Sequence, residues 1–315
     1  SVVNASGQNE TALEQEDGAN SFVSSQSQTK VTVSSSVTAA AVDEAGNTAY
    51  YTDVNEALAA NTESAESAID IYILKNSEIS SEALKSENIR LTTAEGVELT
   101  VESSVDGMKV SETVNEDGSK TYKLVEAYDV VYVNGTSGND TEVGEDASHA
   151  VKTLKRALEL VADDGTIYVC GTVTVDSSLT VDGAKIERAD GYTGSLISVS
   201  GSDTVLTLKN TLVDGKNETV AYSSYLVFVT NSGTLNIEEG TELINNKTTA
   251  VYVNNNSFLN MNGGAIKKNT TVENFGGGGI YSVGTTVING GEISGNSSSI
   301  WGGGILAERG SLTLN

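Results

Sequence analysis

Aromatic side chains recur in the C-terminal part of the chain in a pattern that favours binding chemistry. Four apolar pairs, 24 to 29 residues apart, each place an aliphatic residue before a larger one: Val227-Phe228, Val251-Tyr252, Ile280-Tyr281 and Ile305-Leu306. Alternation along a strand turns the second member of each pair away from the first. If the first members point inward, the second members form an outward row, with Trp301 at the corner before its last member. Such rows stack on sugars and anchor protein partners, so Phe228, Tyr252, Tyr281, Trp301 and Leu306 are the predicted ligand-binding residues. The alternatives are that a coil-joining loop covers this row, or that the phase differs by one residue.

The chain contains few residues that could be catalytic. There is one histidine, His149, and one cysteine, Cys170, and no spacing places either in a Ser-His-Asp or Cys-His arrangement. The adjacent aspartates Asp163-Asp164 precede Gly165 where a predicted helix ends, so we interpret them as turn-forming residues. The glycine run at 276–279 lacks the Lys-Ser/Thr ending of a phosphate-binding loop. These residues favour a protein that binds rather than catalyses.

One loop is dense in oxygen atoms that could hold a metal ion. Asn139, Asp140, Glu142 and Asp146 lie close together in the sequence, and Ca²⁺ takes about six to eight oxygen ligands. Their spacing matches no EF-hand loop, and acidic turns are commonly only hydrated. We therefore expect no cofactor, with Ca²⁺ at this loop as the alternative.

The elements that must position the aromatic row are predicted by an internal repeat. The segment from Leu259 to Asn269 is answered by Val287 to Asn296, and Ile237, Met261, Ile288 and Leu314 recur every 24 to 27 residues. Short strands, Gly-rich corners and this period are typical of a β-solenoid, whose coils must stack to bury their apolar faces. Asn269 and Asn296, with Asn246, recur at one phase of the repeat and predict an internal hydrogen-bonded ladder.

The chain divides into three predicted parts. Residues 1–36 are poor in large apolar groups and predict a flexible leader. Residues 37–128 predict a small α/β unit with a helix near Val54–Leu58 and a strand at Ile69–Leu74. Residues 129–315 predict a mainly β unit, a right-handed parallel β-helix with an amphipathic cap helix from Ala150 to Val161. The last repeat stops midway, so we expect this β-helix to be truncated at its C-terminal end.

The composition limits which partners the protein can bind and indicates where it is located. The formal charge is −25, from 43 acidic and 18 basic residues. Such a chain repels nucleic acid, anionic membranes and polyanionic substrates. There is no proline, as suits central strands that need every backbone N–H. We expect a monomeric extracellular protein, secreted or attached to a cell wall, that binds no nucleic acid and inserts in no membrane.

Two groups of motifs carry a resemblance to known proteins. Val130 to Asp140, followed by Ala150 to Leu154 and Asp164 to Val169, resembles the entry segment of right-handed parallel β-helix proteins with the pectate-lyase-like architecture. Ile288 to Asn296 and Gly302 to Ile305 resemble the Gly-Gly-Ile and Asn-turn repeats of large surface adhesins of gut Gram-positive bacteria. The resemblance covers about 130–315 and implies secretion and surface display, but no substrate. The chain departs from the enzymes of this architecture, because it lacks the Arg-x-Pro-x-x-Arg segment of pectate lyases and the Gly-His-Gly of polygalacturonases.

Three functions stay open at this point. The first is a non-catalytic surface adhesin that recognises a host glycan or glycoprotein, with mucin or immunoglobulin as candidates. The second is a carbohydrate-active lyase or hydrolase whose active face the sequence does not reveal, and the third is a structural spacer stalk. Acidic residues clustered with Lys or Arg along one strand face would favour the enzyme. Aromatic residues without such a cluster would favour binding.

Overall fold

The computed structural model describes most of the chain. The described residues are 37–62, 69–84, 89–102, 107–115, 118–271 and 276–315, together with four short strands near the N-terminus. These four pair in the order β1-β4-β2-β3 and have the bounds β1 Val3–Asn4, β2 Ala12–Glu14, β3 Phe22–Val23 and β4 Val31–Thr32. The rest of the predicted leader, 1–36, lies outside the described residues. The chain forms two compact units, Ser1–Glu126 and Ala127–Asn315.

The first unit is built on a six-stranded sheet in the order β11-β12-β9-β7-β5-β6. Helix α1 packs its apolar side on this sheet, with Val54, Ala57 and Leu58 buried. Its elements are β5 Ala39–Asp43, β6 Thr48–Tyr51, α1 Val54–Thr62, β7 Ile69–Ile73, β8 Ser77–Ser80, a 3₁₀ turn Ser81–Leu84, β9 Ile89–Thr93, β10 Leu99–Glu102, β11 Met108–Val114 and β12 Lys120–Glu126. Strands β7 and β9 pair in parallel, as do β8 and β10, so one β-helical coil follows α1.

The second unit is a parallel β-solenoid made of three long sheets. Sheet 1 has the order β13-β14-β17-β20-β23-β26-β30, sheet 2 the order β15-β18-β21-β24-β28-β32, and sheet 3 the order β16-β19-β22-β25-β29-β33. Every coil contributes one strand to each sheet, and each strand pairs in parallel with its equivalent in the next coil. This fold is the one that the repeat predicts.

The strands are short because each coil turns three corners. Their bounds in the cap and the early coils are β13 Tyr128–Asn134, α2 Leu154–Leu160, β14 Val161–Gly171, β15 Val173–Val175, β16 Leu179–Asp182, β17 Lys185–Arg188, β18 Ile197–Ser200, β19 Val205–Lys209 and β20 Leu212–Asp214. In the later coils they are β21 Val227–Thr230, β22 Thr234–Ile237, β23 Glu242–Ile244, β24 Val251–Val253, β25 Phe258–Met261, β26 Ala265–Lys267, β27 Thr270–Thr271, β28 Ile280–Ser282, β29 Thr285–Ile288, β30 Glu292–Ser294, β31 Ser297–Ser298, β32 Ile305–Ala307 and β33 Ser311–Leu314. No described helix is long and apolar enough to cross a bilayer.

The core is a set of aliphatic columns that run through the coils. Each sheet contributes an inward column whose members have no exposed surface, listed here for sheets 1, 2 and 3 in turn: Ile186, Val213, Leu243, Ile266; Ile197, Val227, Val251, Ile280; Leu206, Leu235, Leu259. Helix α2 closes the first coil by burying Leu154, Ala157 and Leu160. Burial of these columns supplies the main free energy of folding.

The cap helix is shorter than the apolar stripe predicts. Val151 lies outside α2 and bridges to Val133 on β13, and the hydroxyl of Thr153 caps the helix by accepting the N–H of Arg156. The helix ends at Leu160 rather than at Asp163-Asp164-Gly165, because Val161 adopts an extended conformation and begins β14. The interpretation of Asp163-Asp164 as helix-ending residues is therefore wrong, since both lie within β14.

A buried polar ladder fixes the corner between sheets 1 and 2. The side-chain oxygen of Asn269 accepts the N–H of Asn246 at 2.9 Å, and that of Asn296 accepts the N–H of Asn269 at 3.0 Å. Arg188, fully buried, continues the ladder by donating to Asn246 Oδ1 at 3.0 Å and to the carbonyl of Gly215 at 3.0 Å. The guanidinium has no described carboxylate partner, and burial lowers its pKa to about 10. The predicted asparagine ladder is therefore present, with an arginine that the repeat did not predict.

We predict that Ile280→Asp strongly destabilises the second unit. Ile280 is fully buried in the inward column of sheet 2, so the change places an unpaired carboxylate in the core at a cost of several kcal/mol. The check is thermal and chemical denaturation of the parent and the variant. Val287→Asp, an outward position on the same coil, is the control and should change stability little. Equal melts for Ile280→Asp and the parent would show that Ile280 faces solvent.

Candidate functional site

The predicted row lies on the outer face of sheet 2, in register. Phe228 pairs with Tyr252, Tyr252 with Tyr281, and Tyr281 with Leu306 on successive coils. All four side chains are half-buried, whereas Val227, Val251 and Ile280 beside them are fully buried. The strand alternation inferred from the sequence therefore has the correct phase.

The rings of the row pack against one another. The ring centroids of Phe228 and Tyr252 are 5.5 Å apart, and those of Tyr252 and Tyr281 are 5.0 Å apart with planes at 71°. Tyr225 widens the row, because its ring lies 4.9 Å from Tyr252 and 5.7 Å from Phe228. Sequence reasoning missed Tyr225, since it precedes its strand and falls outside the repeat. One of these contacts, Tyr252 with Tyr281, is edge-to-face and the others are tilted, and such ring pairs are favourable, so they order the rings before any ligand arrives.

Trp301 and Leu306 lie together at the far end of the row. Trp301 is 56% exposed, at the corner before β32. A Cβ added at Gly276 would collide with the side chains of both Leu306 and Trp301, so the backbone of Gly276 packs directly on them. Among the described residues the ring-to-ring contacts end at Tyr281. The structure thus groups four of the five predicted residues in one row and places Trp301 beside its end.

Glu308 is the charged group at this site. The hydroxyl of Tyr281 donates a hydrogen bond to its carboxylate, which raises the pKa of Tyr281 to about 12, with burial and the charge of Glu308 adding to the effect. Burial raises the pKa of Tyr252, and Glu308 adds to that shift. Burial likewise raises the pKa of Tyr225. The three phenols are therefore neutral donors at physiological pH.

Sheet 2 differs from its neighbours in charge. None of its six strands contains a charged residue, whereas strands of sheet 1 carry Lys185, Glu187, Asp214 and others. Sheet 3 carries Asp182 and Lys209 in its first two strands and no charged residue in its last four. On a chain with a formal charge of −25 this face is unusual. Depletion of charge with enrichment of Tyr and Phe is the composition of binding-interface cores.

The outer face of sheet 1 holds the acid–lysine cluster that would favour an enzyme. The carboxylate of Glu187 is almost fully buried and lies 3.0 Å from Lys185 Nζ and 3.4 Å from Lys216 Nζ. Asp214 accepts the backbone N–H of Lys216, and the stacked rings of Tyr132 and Tyr168 lie on neighbouring rungs. The charge of Glu187 raises the pKa of Lys216, so this amine stays protonated at neutral pH and does not serve there as a general base. The arrangement is a set of neutralised ion pairs.

The oxygen-rich loop uses its side chains to hold its own backbone. Asn139 Oδ1 accepts the N–H of Thr141, and Asp140 Oδ1 accepts those of Lys152 and Thr153. Asp146 Oδ1 accepts the hydroxyl of Ser148 and the N–H groups of His149 and Ser148, and these bonds lower the pKa of Asp146 to about 2. The backbone N–H of Glu142 donates to the carbonyl of Asn139 at 3.0 Å.

His149 and Cys170 have ordinary structural surroundings. His149 is exposed, and its ring nitrogen lies 3.1 Å from Asp146, which raises the pKa of the imidazole. The ligand atoms of Glu145, Asp146 and His149 lie within 4.8 Å of one another on this surface. The thiol of Cys170 points to the carbonyl of Val133 at 3.4 Å, and burial raises its pKa. Such a thiol is a weak nucleophile.

Comparison with known proteins does not assign this chain to a family. No model of a protein family, no curated protein and no solved structure matches this chain. The fold and the site therefore rest on the contacts described above.

We predict that Glu308→Gln lowers the pKa of Tyr281 from about 12 toward its ordinary value. In the parent the raised pKa stabilises the fold fully below the unfolded-state value of about 10, and that contribution is lost as the pH rises through the folded-state value. A pH titration of tyrosinate absorbance should show Tyr281, and to a smaller extent Tyr252, ionising at lower pH in Glu308→Gln. Glu292→Gln, an exposed carboxylate on the same coil but on sheet 1, should leave the curve unchanged. Superimposable curves for Glu308→Gln and the parent would refute the contact.

Proposed function

We propose that this chain is a non-catalytic binding module of a bacterial surface adhesin that recognises a host glycan or glycoprotein through the outer face of sheet 2. Mucin and immunoglobulin are the candidate ligands. The observation that carries the proposal is the combination of an ordered aromatic row with a sheet that has no charged residue in its strands.

Physical chemistry supports a binding role for this face. The coils hold Phe228, Tyr252 and Tyr281 about 4.8 Å apart along the axis, so a ligand meets a regular, rigid strip. Tyrosine rings offer a large apolar area and lose little conformational entropy on binding. The solenoid provides a stiff scaffold that presents the strip to solvent.

The cellular location of the protein and its oligomeric state are part of the same proposal. The excess of acidic residues and the adhesin-like repeats support a monomer that is secreted or attached to the cell wall, in contact with the extracellular medium. A structural spacer stalk is the alternative if no ligand uses sheet 2.

The double variant Tyr252→Ala, Tyr281→Ala should nearly abolish binding to the host ligand. The ligand is first identified with a glycan array and a pull-down from mucin and immunoglobulin. Truncating one anchor aromatic typically costs about 2 kcal/mol, roughly thirtyfold in affinity, and two adjacent anchors cost more. Binding is measured by titration calorimetry, and circular dichroism verifies the fold.

Phe258→Ala is the matched control for this experiment. Phe258 is an exposed aromatic residue, 41% accessible, on sheet 3 of the same coil as Tyr252. It should leave affinity unchanged if sheet 2 is the binding face. Equal loss of affinity in both variants, or retention in the tyrosine pair, would contradict the proposal.

The cluster of Glu187, Lys185 and Lys216 is the observation that favours the enzyme as a second candidate. Its carboxylate and amines lie on one strand face, as a lyase or hydrolase would require. The raised pKa of Lys216 opposes proton abstraction at neutral pH.

We therefore predict no turnover of polysaccharides. Pectins, mucin O-glycans and neutral plant polysaccharides, incubated with and without Ca²⁺, should release neither reducing ends nor unsaturated products. Product formation that Lys216→Ala abolishes, and Lys209→Ala on sheet 3 does not, would establish the enzyme instead.

A further inference from the structure

A column of hydrogen-bonding side chains runs beside the aromatic row. Ser200, Thr230, Asn254 and Glu308 each lie two residues after Ser198, Phe228, Tyr252 and Leu306 respectively, so strand alternation puts both columns on the same face of sheet 2. At the rung of Tyr281 the equivalent residue is Val283, so the polar column is interrupted there. Phe228 and Thr230, like Tyr252 and Asn254, are half-buried, whereas Val229 and Val253 between them are fully buried. The face therefore presents an apolar strip with a polar strip alongside.

The polar column is ordered across the coils. Asn254 Nδ2 donates to Thr230 Oγ1 at 3.2 Å, and Asn231 Nδ2 donates to Ser200 Oγ at 2.9 Å. Asn254 Oδ1 also accepts the N–H of Asn255 at 2.8 Å. Hydroxyl and amide oxygens each have two lone pairs, so these groups keep acceptor capacity for a ligand. Their positions are set before binding, which lowers its entropic cost.

Glu308 supplies a carboxylate beside Tyr281, and Asp176, two residues after Thr174, is an exposed carboxylate at the first rung of the same column. It accepts the hydroxyl of Tyr281, and Arg309 Nε lies 3.8 Å away on a side chain that is 83% exposed. A carboxylate offers about four acceptor positions, so one bond from Tyr281 leaves room for ligand hydroxyl groups. No strand of sheet 2 carries a basic residue that could neutralise an anionic ligand.

We propose that the ligand of sheet 2 is a neutral glycan chain that runs along the solenoid axis, a conclusion that rests on the proposed binding function. The sugar rings lie on Tyr252 and Tyr281, and their hydroxyl groups bond to the column of Ser200, Thr230, Asn254 and Glu308. Sialylated or sulfated sugars are disfavoured, because they meet Glu308 and an acidic chain, and the nearby cation, Arg309, already lies 3.8 Å from Glu308. Selectivity for uncharged sugars is thus a property of this face.

The test compares one set of mucin O-glycans before and after enzymatic removal of sialic acid, with a polylysine peptide as the cationic probe. Affinities of the parent, Glu308→Gln and the control Glu292→Gln are measured at low and at high salt. The desialylated glycans should bind at least about tenfold more tightly than the sialylated ones, with little dependence on salt. Glu308→Gln should weaken their binding about tenfold, because a charge-assisted hydrogen bond becomes a neutral one.

The other outcomes overturn the inference in distinguishable ways. Tighter binding of the sialylated glycans, lost in the Tyr252→Ala, Tyr281→Ala variant, would overturn neutral selectivity and leave the proposed binding function intact. Salt-sensitive binding of polylysine without glycan binding would assign the face to a cationic partner. Absence of binding to either glycan form would overturn both the inference and the glycan-binding function.

Discussion

The register of the coil stack is the constraint on which the rest of this molecule depends. Side chains alternate along each strand, so a slip of one residue would turn Tyr281 into the core and Ile280 into solvent. The aliphatic columns oppose such a slip, because each would exchange fully buried surface for exposed surface. The same columns therefore determine both the stability of the solenoid and the position of its outer face.

The buried ladder of Arg188, Asn246 and Asn269 makes the alignment of successive coils more specific than hydrophobic burial alone. Hydrophobic columns alone tolerate small shifts between coils, whereas a hydrogen bond such as that from Asn246 N to Asn269 Oδ1 requires one alignment. Arg188 is costly to bury, and its bonds to carbonyl and amide oxygens offset that cost. The corner that the ladder holds leads directly into sheet 2, so polar bonds in the core support the aromatic row on the surface.

The sequence predicted most of the fold because the solenoid repeats. The recurrence of Ile237, Met261 and Ile288 gave the coil length, and the pairs such as Ile280-Tyr281 gave the phase. Features that occur once were missed. Arg188 has no equivalent in later coils, Tyr225 reaches the row from outside its strand, and Glu308 follows the last rung. The end of α2 was also predicted wrongly, because it is determined by the extended backbone of one residue, Val161. Periodicity does not reveal this conformation.

The proposed binding function and the solenoid scaffold meet at one surface, the aromatic outer face of sheet 2, whose strands contain no charged residue. Hydroxyl-radical footprinting measures its occupation directly, since tyrosine and phenylalanine rings react in proportion to their solvent exposure. With desialylated mucin glycans present, oxidation of Tyr252 and Tyr281 should fall while that of Phe258 on sheet 3 stays constant. Protection of Phe258, or of Tyr132 and Tyr168 on sheet 1, with Tyr252 and Tyr281 unchanged, would contradict the account.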